Sequence, residues 1–389
     1  MNGITIFNPE HDLALANGSK HFIAPTNIRE MARDLSPLLD VIDGEQLLVW
    51  GWDGTVKEQL RRMGIAEEQL PTDFALAALR ACSERQAAHH LLRVFRTSHP
   101  NGPYTGESII VKHLDNIVSY VNQHGHIILK DPLSSSGKGL RHVNINEDEN
   151  LSLPLSRRGR TEGIPLLSSS LKKVENWINA LITRHGYLTA EPYYDKVQDF
   201  AMEFCIREGQ CRFIGYSFFN TNHHGRYESN LLLEDEKIES LLTQYVPRTA
   251  LYEVRDWFIG HSHHIIPQEW DTTKHPLYFG IDMMIAKTAG YSATQNHKSE
   301  FTLHPCIEIN LRLNMGIIAH EVRRKLLAPS TEGIFHVIAF PSEEAAQRFL
   351  RKHTEQRTAT YHEGKIVAGY HALTPILPHT RYHAYIMCK

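Results

Sequence analysis

The stretch PCIEINLRLNMG, residues 305–316, alternates apolar and polar side chains and carries an unusual row of polar groups. Glu308, Asn310 and Arg312 occupy positions i, i+2 and i+4, so a strand here places all three on one face, with aliphatic residues on the other. A carboxylate, an amide oxygen and a guanidinium in one row contribute little to packing. The carboxylate and amide oxygens suit ligation of Mg²⁺, and the guanidinium offers a fork of hydrogen-bond donors to a phosphoryl group.

A second polar stretch, ILKDPLSSSGKGLR at residues 128–141, has the composition of a phosphate-binding loop. The P-loop pattern fails, because Pro132 occupies the place of its first glycine and Gly139 that of its Ser/Thr. A dinucleotide-binding GxGxxG fails too, since only Gly137 and Gly139 are present and no helix follows. What remains is a flap between two antiparallel strands, with Lys130 on the entering strand facing a phosphate. Taken alone, a polar hairpin loop with a surface lysine explains the stretch equally well.

Asp282 lies in a third informative run, the strand-like GIDMMIA, between Ile281 and Met283. Its carboxylate is a further oxygen ligand for a metal ion. By itself, it is also explained as a surface carboxylate at the end of a strand.

Composition and charge favour an ordinary globular protein. The 389 residues allow two or three domains, and 42% are hydrophobic and 22% charged. The net charge of −3 argues against a nucleic-acid or anionic-membrane partner, and no apolar run approaches the ~18 residues of a membrane span. Five scattered cysteines and the absence of a secretory signal at the start predict reduced thiols and a cytoplasmic location.

Short apolar runs alternate with helical segments near the start of the chain. GITIF and LLVWGW are predicted strands, and the first 95 residues are predicted to form a small α/β domain with a parallel sheet. Hydrophobic periodicity predicts single helices over 74–95, 110–125 and 170–185, with glycine stops at the last two.

Taken in order, these segments resemble the ATP-grasp superfamily, whose members include D-alanine–D-alanine ligase, biotin carboxylase and glutathione synthetase. The resemblance covers roughly residues 80–316 and is carried by Lys130, Pro132 and SSSGKG, then AEPYY, GID and EINLRLNMG. The closing EIN-x-R…MG motif is its most specific part. The implied fold class is α/β and α+β: an N-terminal α/β domain (1–95), an ATP-grasp subdomain with the phosphate flap (96–190), a second with the Mg/ATP site (191–330) and a C-terminal α/β extension (331–389).

The resemblance implies a role for each matching residue. Lys130 is expected to contact the α- and β-phosphates of ATP, and Glu191 and the backbone near Tyr193 the adenine. Asp199 matches the ribose-binding carboxylate, and Arg85 stands where the family usually has another phosphate-binding lysine. The flap expected to close over the phosphates consists of Ser134, Ser135, Ser136, Gly137, Lys138 and Gly139.

The resemblance also implies a metal site and a reaction. Asp282, Glu308 and Asn310 are expected to hold Mg²⁺, and Arg312 to stabilise charge on the transferred phosphoryl group. Such enzymes mostly activate a carboxylate as an acyl phosphate, which an amine or thiol then attacks. We therefore expect a ligase acting on small-molecule carboxylate and amine substrates. An ATP-grasp kinase and a non-catalytic nucleotide-binding protein are the alternatives.

Two segments are candidates for binding the acceptor. NPEHD (8–12) follows the first predicted strand, at the carboxyl end where ligands bind in α/β sheets. Ordinary helix capping, with Asn8 as the N-cap and Pro9 at the first helical position, explains it equally well. In the stretch 217–230, Arg226 can meet a carboxylate, or the segment is a polar loop. The polar residues of NPEHD are Asn8, Glu10, His11 and Asp12.

Overall fold

The computed structural model describes residues 3–134, 139–145, 169–221, 227–288, 299–356 and 358–389. Within these ranges the chain forms sixteen strands and twelve α-helices. The strands are β1 Ile4–Ile6, β2 Leu47–Val49, β3 Ile109–Val111, β4 His126–Lys130, β5 Leu140–Asn144, β6 Leu188–Pro192, β7 Lys196–Arg207, β8 Gln210–Ser217, β9 Phe219–Thr221, β10 Tyr227–Leu232, β11 Leu277–Lys287, β12 Phe301–Asn310, β13 Gly333–Ala339, β14 Thr360–His362, β15 Lys365–Ala372 and β16 Tyr382–Cys388.

The helices connect and cover these strands. They are α1 His11–Asn17, α2 Thr26–Leu35, α3 Gly54–Arg62, α4 Asp73–Cys82, α5 Arg85–Ser98, α6 Leu114–His124, α7 Ser169–Lys172, α8 Glu175–His185, α9 Asp235–Leu242, α10 Arg248–Gly260, α11 Met315–Leu326 and α12 Glu343–Gln356. No helix in the described ranges is long and apolar enough to cross a membrane.

The N-terminal segment contains a parallel pair, β1 and β2, in which Ile6 lies opposite Val49. Both side chains are buried in a core that they share with Val56 and Leu60 of α3. The α/β arrangement predicted for this part of the chain is confirmed. Leu313, far along the chain, donates its backbone N–H to the carbonyl of Trp50 at 2.8 Å, so this segment is tied to the residues that follow β12.

A four-stranded antiparallel sheet in the order β3-β6-β4-β5 forms the first of two sheets that flank the candidate site. In β4, Ile127 and Leu129 are fully buried against Ile117 of α6 and Ile178 of α8. Because side chains alternate along a strand, Lys130 lies on the opposite face of this sheet. One face is therefore packed on helices, and the other faces the site.

The second flanking sheet is also antiparallel, in the order β12-β11-β7-β8. Its apolar face contains Phe204 of β7, which stacks on Phe279 of β11 at 5.0 Å and packs with Phe258 of α10. Its polar face carries the row of acidic and amide side chains that the sequence predicted on β12.

A six-stranded sheet, β14-β15-β16-β13-β10-β9, contains strands from both sides of residue 330. β10 pairs with β13, and β13 pairs in turn with β16. Phe335 and Ile386 are fully buried beside Leu35 of α2 and Ile317 of α11. The C-terminal strands therefore share one core with the N-terminal segment and with α11.

Each of the three predicted helices is interrupted in the structure. The helix expected over 74–95 is divided into α4 and α5 at Glu84, whose backbone is extended, and the backbone N–H of Arg85 donates to the carbonyl of Pro132 at 3.1 Å. The segment 110–125 begins as β3, which pairs with β6, before α6 starts. Residues 170–185 form α7 and α8. The predicted glycine stops are confirmed at Gly125 and Gly186, both with positive φ.

Candidate active site

The polar face of the second flanking sheet brings the predicted metal ligands together. Asp282 of β11 lies directly opposite Glu308 of β12, and Gly280 lies opposite Asn310. Paired residues of adjacent antiparallel strands project to the same face, with Cβ atoms about 5 Å apart. Burial and the neighbouring charge of Glu308 raise the pKa of Asp282 above its usual range. Closely spaced oxygen ligands that repel one another fit a divalent cation, so these residues suit Mg²⁺.

Arg85, at the start of α5, reaches across to this row. Its Nη2 lies 3.2 Å from Glu308 Oε2, and its Nε donates to the carbonyl of Asp131 at 3.0 Å. A further, longer contact at 3.4 Å joins Nη2 to the carbonyl of Ser134. Arg85 is 9% exposed. One buried guanidinium thus connects the base of the flap to the predicted metal ligands, where a phosphate chain is expected.

Arg312 follows β12 and is held by the N-terminal segment. Its Nε and Nη2 donate to the two carboxylate oxygens of Asp12 at 3.0 and 2.8 Å, a bidentate pair. Nη2 also donates to Asn310 Oδ1 at 3.1 Å. The backbone bond from Leu313 to Trp50 fixes the adjacent chain, which explains why this arginine meets Asp12. Arg312 is therefore the point where the N-terminal segment meets the predicted metal site.

Lys130 lies at the end of β4, on the face opposite the helices. Its Nζ is 2.5 Å from Glu191 Oε2 on the adjacent strand β6, and both side chains are largely buried. Thr189, opposite Lys130 in register, is 1% exposed. The two residues that the sequence assigned to phosphate and adenine binding are thus in direct contact.

Tyr193 and Asp199 lie farther along the same two sheets. The backbone N–H of Tyr193 donates to the carbonyl of His126 at 3.0 Å, and the tyrosine ring stacks on His126 at 4.2 Å. This N–H is therefore already bonded, and the ring, although stacked on one side, is half-exposed. Asp199 lies opposite Met284 of β11 and forms an ion pair with Lys196.

The flap itself lies largely outside the described residues. Of its predicted members, Ser135, Ser136, Gly137 and Lys138 fall in the undescribed segment 135–138. Gly139 accepts a backbone hydrogen bond from Asp131 at 2.9 Å, and a Cβ at this position would lie 2.0 Å from Ser134 Oγ. The closely packed base of the flap thus requires glycine at 139. Arg226 also lies outside the described residues.

Glu203 is a site residue that the sequence analysis did not identify. It lies on β7 opposite Gly280, is 1% exposed and accepts a hydrogen bond from Asn314 Nδ2 at 2.7 Å. Cβ atoms at Gly280 and Gly316 would lie 2.4 and 2.2 Å from its carboxylate, so two glycines make room for it. Burial raises the pKa of Glu203 to about 8. The sequence signal was present in FAMEF, where a glutamate interrupts a run of core residues.

The NPEHD segment has no capping role of the expected kind. The N-cap of α1 is Glu10, whose side chain makes no capping bond, and Asn8 instead bonds to the backbone of Gly51 and to Asp53. The predicted alternative with Asn8 as N-cap is therefore wrong. Asp53, which the sequence analysis did not identify, lies beside His11.

These elements enclose one cleft between the N-terminal segment, the base of the flap and β12. It connects the predicted metal ligands and Arg85 with the two polar residues that begin α1. Its lining consists of His11, Asp12, Leu15, Ser83, Arg85, Pro132, Leu133, Ser134, Glu308, Ile309, Asn310 and Leu311.

Comparisons with known proteins give a likeness in three dimensions only. No protein-family model and no curated protein matches the chain. N5-carboxyaminoimidazole synthetase from Staphylococcus aureus, complexed with ADP, is similar over 99% of this chain and 92% of that chain, with a TM-score of 0.50 and 12% identity. At this identity the likeness shows the fold alone.

Two other solved structures extend the comparison with lower scores. Carboxyaminoimidazole ribonucleotide synthase from Aspergillus clavatus, complexed with ATP, is similar over 99% of this chain and 92% of that chain, with a TM-score of 0.46 and 10% identity. Biotin carboxylase from Campylobacter jejuni is similar over 88% and 70%, again with a TM-score of 0.46 and 10% identity. The conclusion on fold rests on the Staphylococcus aureus structure.

Proposed function

We propose that this chain, which has the predicted ATP-grasp fold, is an ATP- and Mg²⁺-dependent ligase that joins a small-molecule carboxylate to an amine. The observation that carries the proposal is the cleft in which Arg85, Glu308 and Asn310 meet the base of the flap and Asp12. The similar Staphylococcus aureus structure is that of a synthetase complexed with ADP. This supports nucleotide binding at the corresponding place.

The chain's own residues supply charge neutralisation for phosphoryl transfer. Lys130 and Arg85 are buried cations that exchange carboxylate partners for phosphate oxygens. Asp282, Glu308 and Asn310 would hold Mg²⁺, which neutralises charge on the phosphates when bound.

Arg312 would stabilise the negative charge that develops as a phosphoryl group moves to the substrate carboxylate. Its bidentate partner, Asp12, shows that the guanidinium has the geometry to bind a carboxylate or phosphate with two parallel hydrogen bonds. Positioning and electrostatic stabilisation are the main demands of phosphoryl transfer, so the cleft needs no nucleophilic side chain.

Thermal unfolding tests nucleotide binding directly. A non-hydrolysable ATP analogue with Mg²⁺ at ~100 times its Kd adds about 2.7 kcal/mol of stability and raises the Tm by several degrees. We expect this shift in the wild type and in Lys112→Gln, an exposed lysine in the same sheet region, and a much smaller shift in Lys130→Gln. A wild-type protein whose Tm responds to no nucleotide would leave the ATP-binding proposal without support.

ADP release tests the reaction. The protein is incubated with ATP, Mg²⁺ and pools of amino acids, di- and tricarboxylates and bicarbonate, with and without added amines. Amine-dependent release identifies a ligase, whereas a stable phosphorylated product formed without an amine identifies the kinase alternative. Glu308→Gln should lower ADP release by at least ~10²-fold, because it removes a charged oxygen ligand and the partner of Arg85. The control Glu300→Gln changes an exposed carboxylate just before β12 and should retain activity.

A further inference from the structure

A buried polar pair in the N-terminal segment reaches the cleft and is not among the residues assigned above to nucleotide binding. His11, the first residue of α1, is 2% exposed, and its Nδ1 lies 3.1 Å from Asp53 Oδ2. The other oxygen of Asp53 accepts hydrogen bonds from the backbone N–H groups of Thr55 and Val56 at 2.7 and 2.9 Å. Asp53 is 3% exposed, while His11 lines the cleft. The histidine therefore connects a buried carboxylate to the candidate active site.

Asp53 determines which nitrogen of His11 carries the proton. It is the N-cap of α3, where backbone N–H groups and the helix dipole favour an ionised carboxylate. An ionised carboxylate only accepts hydrogen bonds, so Nδ1 of His11 is the donor. In the neutral ring, Nε2 then keeps its lone pair. A carboxylate that orients an imidazole in this way is the arrangement of a general base.

The surrounding backbone holds the His11 ring in this orientation. A Cβ at Gly51 would lie 2.4 Å from His11 Cγ, so the ring packs directly on the glycine backbone. Asn8 Nδ2 donates to Gly51 O at 2.8 Å and to Asp53 Oδ2 at 3.2 Å, and Asn8 Oδ1 accepts from Gly51 N at 3.1 Å. One asparagine thus fixes both the wall behind the ring and the carboxylate that orients it.

The cleft that His11 lines also contains two of the residues proposed above to hold Mg²⁺. Glu308 and Asn310 line it together with His11. Asp12, the residue after His11, holds Arg312 through two hydrogen bonds. The histidine thus lines the same cleft as the residues proposed to hold the metal, and it comes from a different segment of the chain.

We propose that the His11–Asp53 pair is the general base that deprotonates the attacking amine, an inference that rests on the proposed ligase function. An ammonium substrate must lose a proton before its nitrogen is nucleophilic, and His11 Nε2 takes it. The nitrogen lone pair then forms the C–N bond, while the C–O bond to the phosphoryl group breaks and its electron pair leaves with phosphate. Phosphate takes the second nitrogen proton, and His11 returns the first to solvent, so the products are an amide, HPO₄²⁻ and H⁺.

Replacing the amine substrate by hydroxylamine distinguishes proton removal from the steps that precede it. Hydroxylamine is largely unprotonated at neutral pH and needs no base, so it reacts with an acyl phosphate that an ammonium substrate cannot attack unaided. With the carboxylate found in the ADP-release screen, His11→Asn should lose about 10²- to 10⁴-fold in amine-dependent ADP release. Its hydroxylamine-dependent release, measured as hydroxamate, should stay within about threefold of wild type, because the reaction with hydroxylamine does not require a general base. His21→Asn, an exposed histidine of the same segment, is the control.

A second variant and a pH profile distinguish a general-base role of His11 from a purely structural role. Gly51→Ala displaces the His11 ring and should lose amine-dependent release selectively, as His11→Asn does. Without the base, the amine-dependent rate of His11→Asn should follow the fraction of free amine in solution, so its loss relative to wild type should become smaller as the pH rises toward the pKa of the amine. The charged groups around the ring are Asp53 on the segment before α3, Glu10 and Asp12 beside it in sequence, and Arg85 and Glu308 in the lining of the same cleft.

The results of these experiments separate failure of the general-base proposal from failure of the ligase proposal. Equal losses with amine and hydroxylamine would show that His11 is structural and would overturn the proposal. Unchanged amine-dependent release in His11→Asn would do the same while leaving the ligase function standing. Wild-type protein that releases no ADP with hydroxylamine and any carboxylate would overturn the ligase function, and the proposal with it.

Discussion

Individual charged residues in this protein connect segments that are distant in sequence. Arg85 bonds to Glu308, Lys130 to Glu191, and Arg312 to Asp12. A buried charge is tolerated only when it is paired and hydrogen-bonded, so each pair constrains two elements at once. At the scale of single residues, the candidate site is therefore held by the same cations that are proposed to bind the nucleotide.

His320 of α11 gives a prediction that depends on pH. Burial lowers its pKa, but Asp235 and Glu321, each with an oxygen 3.8 Å from a ring nitrogen, outweigh this and raise it to about 9. A raised pKa stabilises the folded state fully below the unfolded value of about 6.5, and the contribution is lost as the pH rises through about 9. We expect His320→Gln to lower the Tm by several degrees at pH 6.

Thermal unfolding at pH 6, 8 and 10 checks the direction of this pH dependence. The difference in Tm between wild type and His320→Gln should shrink as the pH rises and be smallest at pH 10. His362→Gln, an exposed histidine of β14, is the control and should show no such trend. A difference that stays constant or grows with pH would contradict the assignment.

At the scale of elements, the start of α11 couples helix capping to the site. Asn314 is its N-cap: Oδ1 accepts from the N–H of Ile317 at 3.0 Å, while Nδ2 donates to the buried Glu203 at 2.7 Å. Arg312 lies two residues before the cap. One asparagine thus starts the helix and offsets part of the desolvation of the buried Glu203 side chain.

Asn314→Ala should destabilise the protein more than the loss of an ordinary cap. Removing a cap costs about 0.5–2 kcal/mol, and leaving a buried acceptor unpaired costs about 1–3 kcal/mol more. The matched control is Thr72→Ala, which removes the N-cap bond of α4 to Ala75 and leaves no buried acceptor unpaired. Chemical denaturation measures both variants. Equal losses of stability would show that the bond to Glu203 contributes nothing.

At the scale of the whole molecule, the C-terminal strands belong to a core that begins at the N-terminus. Leu35, Ile317, Phe335 and Ile386 are all fully buried in one cluster. Such a core buries its apolar surface only when segments hundreds of residues apart are present together. The predicted extension 331–389 remains a proposal as a domain, and the sheet pairing of β10 with β13 argues that it does not fold separately.

A chain that ends at residue 330 tests this dependence. Without β13 and β16, the edge of β10 and the apolar faces of α2 and α11 become exposed, so we expect aggregation or loss of the cooperative unfolding transition. Co-production of residues 331–389 as a separate fragment should restore a folded complex, seen by circular dichroism and size-exclusion chromatography. A truncated chain that unfolds cooperatively on its own would show that the extension is a true domain.

Prediction from sequence succeeded where the pattern was local. Sequence analysis found the alternation in β12, the strands around the flap and the glycine stops of α6 and α8. Side-chain periodicity and helix-terminating glycines depend on only a few neighbouring residues. The break between α4 and α5 was missed. It lies at the extended backbone of Glu84, beside the backbone bond from Arg85 to Pro132, a contact that no local pattern of the sequence indicates.

The sequence by itself determined the fold class of this protein and identified the candidate residues for its chemistry. Sequence alone identifies the Glu308–Asn310–Arg312 row, Lys130 and the flap, because side-chain alternation and residue type are properties of short segments. The tertiary structure alone decided the partners: Asp12 for Arg312, Asp53 for His11, and Asn314 for the buried Glu203. These contacts join residues 42 to 300 positions apart, and only packing of the whole chain brings such groups together.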